Sequence, residues 1–509
     1  MRLLTVAFSL LLTSALSAQT SVHFDRPFHV AGEVAWFSAF LPQPAPPKVR
    51  VVVYAPDGSE QDYFFLETDE QGQVSGYYRW PFGLETGYYR LGLQGMTEGK
   101  EVVALGMIPH AVYNDKRATA TTAGTLSGTT DALPASGGLS VGVDGGTVRI
   151  GGLNGAAFSI SVVNADISGD MEGFQVTPFT PNSSWADTLF YPANVMTAAG
   201  EPFNTNLLPF FDPATFNFGF AKSDEKGDFM LELGPFTGKK DVQVRAQEAL
   251  DLQPKLYSNK IAPLNTPPPV TEAVAAYIDL SRRRRKIYQL FATVETEIDA
   301  EVAPQERKAL KPNRDFNVQD YKSFPDMYNF FKEVGGELRV RVKKENYRAQ
   351  LYNAPNQRFF AENPLYIVDG KLTRNDNYVN NMNPGNVKYL AYYYIGNELR
   401  RNFPALGNNG VVQIETIRPV NKFPAADADD IFPVNGLQPQ AAFPLRDAAA
   451  SEVPVLSPVL LWQTGRADES ATIKLPATDD YGNYKIVVVA RGADGLLRSA
   501  SKTFSVVVK

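Results

Sequence analysis

The sequence predicts a mainly β chain: several β-sandwiches in series, with one small α+β unit among them. Three observations lead there. Short alternating runs of Val, Tyr, Phe and Trp recur with turn residues at intervals of roughly 10 positions. A turn signature (hydroxyl, acid, acid, any residue, glycine) stands before a strand at three places. Between residues 320 and 420 the apolar period changes from two to that of a helix. A chain of 509 residues has room for several domains of roughly 100–200 residues each.

Composition narrows the function. With 49 basic and 55 acidic residues the formal charge is −6, so no basic excess exists to neutralise nucleic-acid phosphates. At 44% hydrophobic residues the chain is too apolar for wholesale disorder. It has no cysteine, which excludes disulfides, Cys-ligated zinc and iron–sulfur clusters. Its only histidines are His23, His29 and His110.

Residues 1–18 read as a signal peptide. Met1-Arg2 precede the apolar run Leu3–Leu12, and Ala15-Leu16-Ser17 offers small residues for a cut there or after Ala18. The run is shorter than the roughly 20 residues of a membrane span. No cysteine follows to carry a lipid. The expectation is an exported protein held together by packing alone.

The first sandwich is expected over 20–113. Val34, Trp36, Ser38 and Phe40 share one strand face, and Ala35, Phe37, Ala39 and Leu41 the other. Further strands are Lys48–Tyr54, Tyr63–Glu67, Val74–Arg79 and Tyr88–Gly95. Residues 114–132, rich in Thr, Ala, Ser and Gly, read as a linker. A second sandwich is expected over 133–250, starting with Leu139–Val143, Thr147–Gly151 and Ala157–Val163. Residues 251–319 read as a linker with a helical segment. Within it the five cations Arg282–Lys286 are expected on a solvated face, paired with Glu295, Glu297 and Asp299, in preference to anionic lipid.

In the α+β unit, 320–420, Ser323 would cap a helix whose apolar residues are Met327, Phe330, Phe331 and Val334. Strands follow at Leu338–Val342, Asn363–Gly370, Val387–Ile395 and Val411–Ile417. Residues 421–456 read as a flexible connection, and 457–509 as a last sandwich. The three turn signatures start at Thr68, Ser223 and Thr478. An acidic side chain caps such a turn, and glycine supplies its positive φ. The spacing of a full calcium loop is missing.

Phe24-Asp25-Arg26-Pro27-Phe28-His29-Val30-Ala31-Gly32-Glu33-Val34-Ala35-Trp36 resembles the start of an α-macroglobulin-type domain. Asn363–Gly370 and Gly407–Arg418, with the preceding helix–strand, resemble the plug domain of TonB-dependent outer-membrane receptors. The tail, from Leu460-Leu461-Trp462, is similar to the last sandwich of large envelope proteins that combine such modules. The resemblance implies Ig-like, macroglobulin-like sandwiches around a plug-like α+β domain. Without cysteine, a thioester trap is impossible. Pro419–Lys509 is too short for a transport barrel, whose strands take about 9–11 residues each.

Candidate chemistry is sparse. Gly138-Leu139-Ser140-Val141-Gly142 matches a nucleophile elbow in letters, yet Ser140 lies in a strand and no histidine follows it. His23 and His29 flank Asp25, but His110 is remote in sequence and strand-edge histidines are the expectation. Asp427, Asp429 and Asp430 read as a solvated loop. Catalytic, cofactor and metal sites are therefore expected to be none. Tyr392, Tyr393 and Tyr394, with Tyr366 and Asp369, are the candidate partner-binding residues, because exposed aromatics favour recognition. The expected function is a non-enzymatic envelope protein in the periplasm, at the outer membrane or at the cell surface. It would bind a protein partner, no nucleic acid, and the membrane only peripherally. The alternative is a macroglobulin-like protease-interacting protein acting without a thioester, its bait segment in Asn114–Ala132 or Phe423–Leu456.

Overall fold

Val34–Phe40 is buried along its whole length because each face of this strand has a core of its own. Ala35, Phe37 and Ala39 join Val49, Val51 and Leu91; on the other side Trp36 meets Trp462, and Phe40 meets Ala157, Val487 and Val489. Each of the larger of these side chains, such as Phe37, Val51 or Leu91, contributes roughly 1.5–3 kcal/mol when removed from water. The computed structural model in which these contacts occur describes residues 19–116, 121–124, 126, 134–165, 174–178, 184–246, 251–291, 298, 300, 302, 308–344, 346–419, 423–424, 427 and 430–507. The signal peptide lies outside them, as do Glu295, Glu297, Asp299 and Asp429. Two compact units result: Met1–Leu189 with Ser258–Val302 and Leu437–Lys509, and Phe190–Tyr257 with Ala303–Gly436.

The first unit holds two sandwiches. One faces the sheet Phe174–Pro178, Gln19–Phe24, Val34–Phe40, Gln73–Arg79 against the sheet Phe28–Val30, Val102–Tyr113, Gly87–Met96, Lys48–Tyr54, Glu60–Glu67. The other faces Val459–Arg466, Ala157–Asn164, Gly482–Arg491, Leu497–Val506 against Ser470–Lys474, Thr147–Gly151, Ser140–Asp144. This corrects the expectation of separate sandwiches over 133–250 and 457–509. Ala157–Asn164 is buried along its whole length and pairs on each side with a C-terminal strand, so neither segment closes a core without the other. Ser140 opens one strand of a plain hairpin.

In the second unit a seven-stranded sheet runs Leu252–Leu256, Leu189–Thr197, Asp228–Leu233, Asn217–Ser223, Thr205–Asp212, Lys239–Val244, Ile431–Asn435. A five-stranded sheet runs Arg314–Asn317, Val387–Tyr393, Val411–Thr416, Leu365–Val368, Lys371–Thr373. In it Leu365–Val368 and Val411–Thr416, the cores of the two sequence motifs of the α+β unit, are parallel neighbours. The hairpin Leu338–Lys343, Asn346–Asn353 and the helices Met327–Glu333, Asp376–Asn380 and Gly396–Asn402 complete the unit. Asp326, not Ser323, caps the first helix by accepting from Asn329 N at 2.9 Å. The expectation of a mainly β chain with several sandwiches holds.

Among the described residues, parts of the expected linkers are packed. Leu126 and the helix Glu272–Leu290 share a core with Phe28 and Tyr113. Ile431–Asn435 is a sheet strand, while Phe443 packs near Trp36 and Val455 is buried. The turns beginning at Thr68 and Ser223 are built alike. Asp69 Oδ1 accepts from Gln71 N and Gln73 N, Asp224 Oδ1 accepts from Lys226 N and Asp228 N, and Gly72 and Gly227 take φ of 80° and 79°. The third copy differs: Asp479 Oδ2 accepts from Val455 N, at the end of a neighbouring segment.

Candidate functional site

The residues that carry the N-terminal resemblance meet in a buried polar cluster of the first unit. Asp25 and Arg26 follow the strand Gln19–Phe24, and Glu33 follows a tight turn in which Gly32 has φ 96°. Glu33 Oε2 accepts from Val30 N at 2.8 Å, and Arg26 Nη2 lies 3.4 Å from the same oxygen. Glu33 Oε1 accepts from Tyr277 Oη at 2.6 Å and from Arg284 Nη2 at 3.4 Å. Tyr277 Oη in turn accepts from Arg284 at 3.0 Å and from Arg26.

Tyr277 and Arg284 come from the helix Glu272–Leu290, capped by Thr271 Oγ1. Its buried face is Val274, Tyr277, Ile278, Ser281, Arg284 and Tyr288. That three-and-four spacing runs straight through the basic run. The run is therefore only in part a solvated face: Arg283 and Lys286 are exposed, but Arg284 is fully buried and Arg285 pairs with Asp115 at 2.5 Å. Five cations in succession occupy every side of a helix, so at least one had to face the core.

All three histidines are buried, contrary to the strand-edge expectation. His29 Nδ1 and His110 Nε2 are 2.7 Å apart, and His29 Nε2 stands 3.2 Å from Asp25 Oδ1. Parallel pairing of Phe28–Val30 with Val102–Tyr113 closes the 81 positions between the two histidines. His23 bonds Ser159 and Ser161 at 2.8 and 3.1 Å. Burial holds His29 and His110 well below the usual imidazole range and lowers His23 to about 3. Burial also pushes Asp25 up to about 6, against the pull of Arg26. Among the described residues no three His, Asp or Glu side chains converge as a metal site requires. A cavity of about 50 Å³ adjoins the cluster, lined by Arg26, Glu33, Trp36, Tyr288 and Arg446 among others. It has room for a few waters, far below the several hundred Å³ of an organic ligand.

A second buried cluster lies in the other unit. Arg245 Nη2 meets Asp427 Oδ1, and Arg245 Nε lies 2.8 Å from Asp430 Oδ2. Gln243 Nε2 donates to Asp430 at 2.9 Å, and Thr373 Oγ1 donates to Asp427. Asp427 and Asp430 are thus core partners rather than members of a solvated loop. Burial pushes Asp430 up to about 7, Arg245 opposing.

Of the candidate partner-binding residues, Tyr366, Tyr392 and Tyr393 are buried. Alternation does send Tyr392 and Tyr393 to opposite faces, but each face has its own core. Tyr366 Oη donates to Asp376 at 2.7 Å. Tyr394 is half-buried and Asp369 exposed. Asp369, at φ 49°, accepts from Thr416 N at 2.7 Å and Thr416 Oγ1 at 2.6 Å, which ties the two motif strands at one end. Ile395, next to Tyr394, and Ile417, near Asp369, are exposed at opposite ends of the paired strands Val387–Tyr393 and Val411–Thr416. Sequence reasoning missed the roles of Tyr277 and Arg284, although the helix's apolar stripe carried the signal.

The sheets define a protein of β-sandwich modules with an α+β portion. No protein-family model and no curated protein matches the chain. Among solved structures, an Escherichia coli alpha-2-macroglobulin activated by porcine elastase aligns with 95% of this chain and 43% of its own, at 9% identity and TM-score 0.23. A Salmonella alpha-2-macroglobulin mutant aligns with 96% of this chain and 39% of its own, at 10% identity and TM-score 0.24. A tetra-tandem repeat from the extending region of a large adhesion protein aligns with 95% of this chain and 98% of its own, at 9% identity and TM-score 0.16. The chain therefore spans less than half of either macroglobulin. Similarity this weak carries no argument, and the mainly β assignment rests on the chain's own sheets.

Proposed function

We propose that the chain is an exported, non-enzymatic protein of the cell envelope, a scaffold whose α+β portion docks a protein partner in the periplasm or at the outer membrane. The observation that carries this reading is the engagement of its reactive side chains. All three histidines are buried, and the clusters around Glu33 and Arg245 are closed by internal partners. Groups held in this way stabilise modules and are not poised to meet a substrate. The docking surface would centre on Asp369 with exposed Ile417, at the end of the paired strands where Asp369 holds Thr416. Tyr394 and exposed Ile395 mark the opposite end, and Tyr366, Tyr392 and Tyr393 are buried in the sheet's cores. No helix among the described residues is long and apolar enough to cross a membrane. Association with the membrane would be peripheral.

The test is affinity capture from envelope fractions with the intact chain and with the Ile417→Asp variant. The reading expects a specific protein recovered by the first and lost with the second. Equal recovery by both, or a chain confined to the cytoplasm on fractionation, would overturn it.

A further inference from the structure

The helix Asp376–Asn380 and the turn Pro384–Asn386 border an open depression of about 540 Å³. Asn375, Asn377, Asn381, Asn383 and Asn386 stand around it, with Tyr378, Met382 and Pro424 as its apolar lining. Every described residue that lines it is uncharged. Five amides beside one aromatic ring, with no ion among them, is an unusual surface for a chain that is 20% charged. Asp369 and Asp427, the charged groups that act on Tyr378, are both acidic, so an anionic ligand finds no counter-charge in them to offset its desolvation.

The amides are held in place, and their orientation is decided by backbone donors. Asn375 Oδ1 accepts from Tyr378 N at 2.9 Å, and Asn383 Oδ1 accepts from Gly385 N at 2.8 Å. A backbone N–H can only donate, so each oxygen end is assigned and each Nδ2 end is left over as a donor. Asn377 is fixed at both ends, by Tyr347 N and Asn346 Oδ1, and Asn386 by the backbone of Arg418. Asn381 is exposed, and neither its amide nor the Nδ2 of Asn375 or Asn383 has a protein partner among the described residues. The tyrosine ring is fixed as well, edge to face with Phe423 at 5.6 Å. Amides and ring are thus set before a ligand arrives, which lowers the entropic cost of binding.

A rim rich in N–H donors, a half-buried aromatic ring and an uncharged lining suit a ligand with many neutral oxygen acceptors and one apolar face. A pyranose has both: hydroxyls that turn to accept, and a C–H face that stacks on an aromatic ring. An extended peptide fits less well, because its own N–H groups are fixed donors and would meet further donors here. We propose that this depression binds a neutral glycan, with Asn375, Asn381 and Asn383 donating to sugar oxygens and Tyr378 stacking on the ring. This goes beyond the docking role and fails separately from it, since Asn381 is not among the docking residues.

The experiment is isothermal titration of the full chain with malto-, cello-, xylo- and manno-hexaose, and with an uncharged Gly-Ser hexapeptide as the competing class. Asn381→Ala removes an exposed amide without a protein partner, so the variant is expected to fold as the parent does. Tyr378→Leu tests the stacking. The proposal expects saturable binding of at least one neutral hexaose, weakened at least ten-fold by either substitution. It is overturned if no hexaose binds, if Asn381→Ala binds as the parent does, or if the peptide binds instead and is the ligand lost in the variants.

Discussion

The two buried ionic clusters differ in charge count, and the difference decides which way a buried carboxylate titrates. Around Glu33, two guanidiniums and a tyrosine hydroxyl converge on one carboxylate. In the other unit a single guanidinium is shared between Asp427 and Asp430. Burial alone raises every carboxyl, because the charged form loses its hydration. At Glu33 the guanidiniums of Arg26 and Arg284 outweigh burial and hold the carboxyl below its usual value. At Asp430 one cation between two acids does not, and the carboxyl rises to about 7. Similar enclosure therefore fixes the charge on Glu33, whereas Asp430, like Asp25 beside Arg26, becomes titratable.

The largest expected effect tests that contrast directly. Glu33→Gln leaves two buried guanidiniums without their shared carboxylate and should cost about 3–5 kcal/mol, as breaking a buried ion pair does. Urea denaturation should show this loss at both pH 5 and pH 8. Arg245→Met should cost a similar amount at pH 8 but visibly less at pH 5. A carboxyl whose folded pKa lies above its unfolded value is penalised only where it must stay ionised, so protonation of Asp430 relieves the variant. Equal losses at the two pH values for Arg245→Met would remove the distinction between the clusters.

The next effect sharpens the contrast by showing a group with no compensating charge. His23 is lowered to about 3, so the folded chain keeps it neutral while the unfolded chain protonates it below about 6.5. Stability that depends on it is complete above about pH 6.5 and falls on acidification at about 1.4 kcal/mol per pH unit until about pH 3. His23→Gln should flatten the pH dependence of the urea midpoint between pH 4 and 6.5 by that slope. An unchanged slope would mean that His23 is not the group responsible.

The smallest effect compares the twin turns. A Cβ on Gly227 would stand 2.3 Å from the backbone oxygen of Val195. On Gly72 it would meet a movable Gln43 side chain at 2.6 Å and Leu41 O at 2.7 Å. Both alanine variants should lose about 1–2 kcal/mol from the positive φ, with Gly227→Ala losing more in thermal melts because its backbone contact is the closer of the two.

Much of the local order was legible. Strict alternation marked Val34–Phe40 and Leu338–Val342, the Asp-plus-Gly signature marked two turns of one geometry, and Met327, Phe330 and Phe331 marked a helix face. The candidate site was less legible. Tyr392, Tyr393 and Tyr366 seemed available because alternation assigns a residue to a face of a strand but not what covers that face. Asp427 and Asp430 looked solvated because Arg245, which neutralises them, lies 182 and more residues away. The run Arg282–Lys286 was misread by its charge, although its place on the stripe from Val274 to Tyr288 already turned Arg284 inward.

What this sequence determined unaided is what depends on neighbours along the chain: strand period, turn chemistry, helix face, and the absence of thiol chemistry. Dihedral preferences and side-chain periodicity act over a few residues, so they can be read a few residues at a time. Tertiary structure alone decided that Ala157–Asn164 is sheeted with Val459–Arg466 and Gly482–Arg491, that His29 meets His110, and that Glu33 gathers Tyr277 and Arg284. Those pairings cross from 81 to more than 300 positions. They are selected by the burial of apolar faces and by the cost of an unpaired charge in the core, and neither quantity exists until distant segments have met.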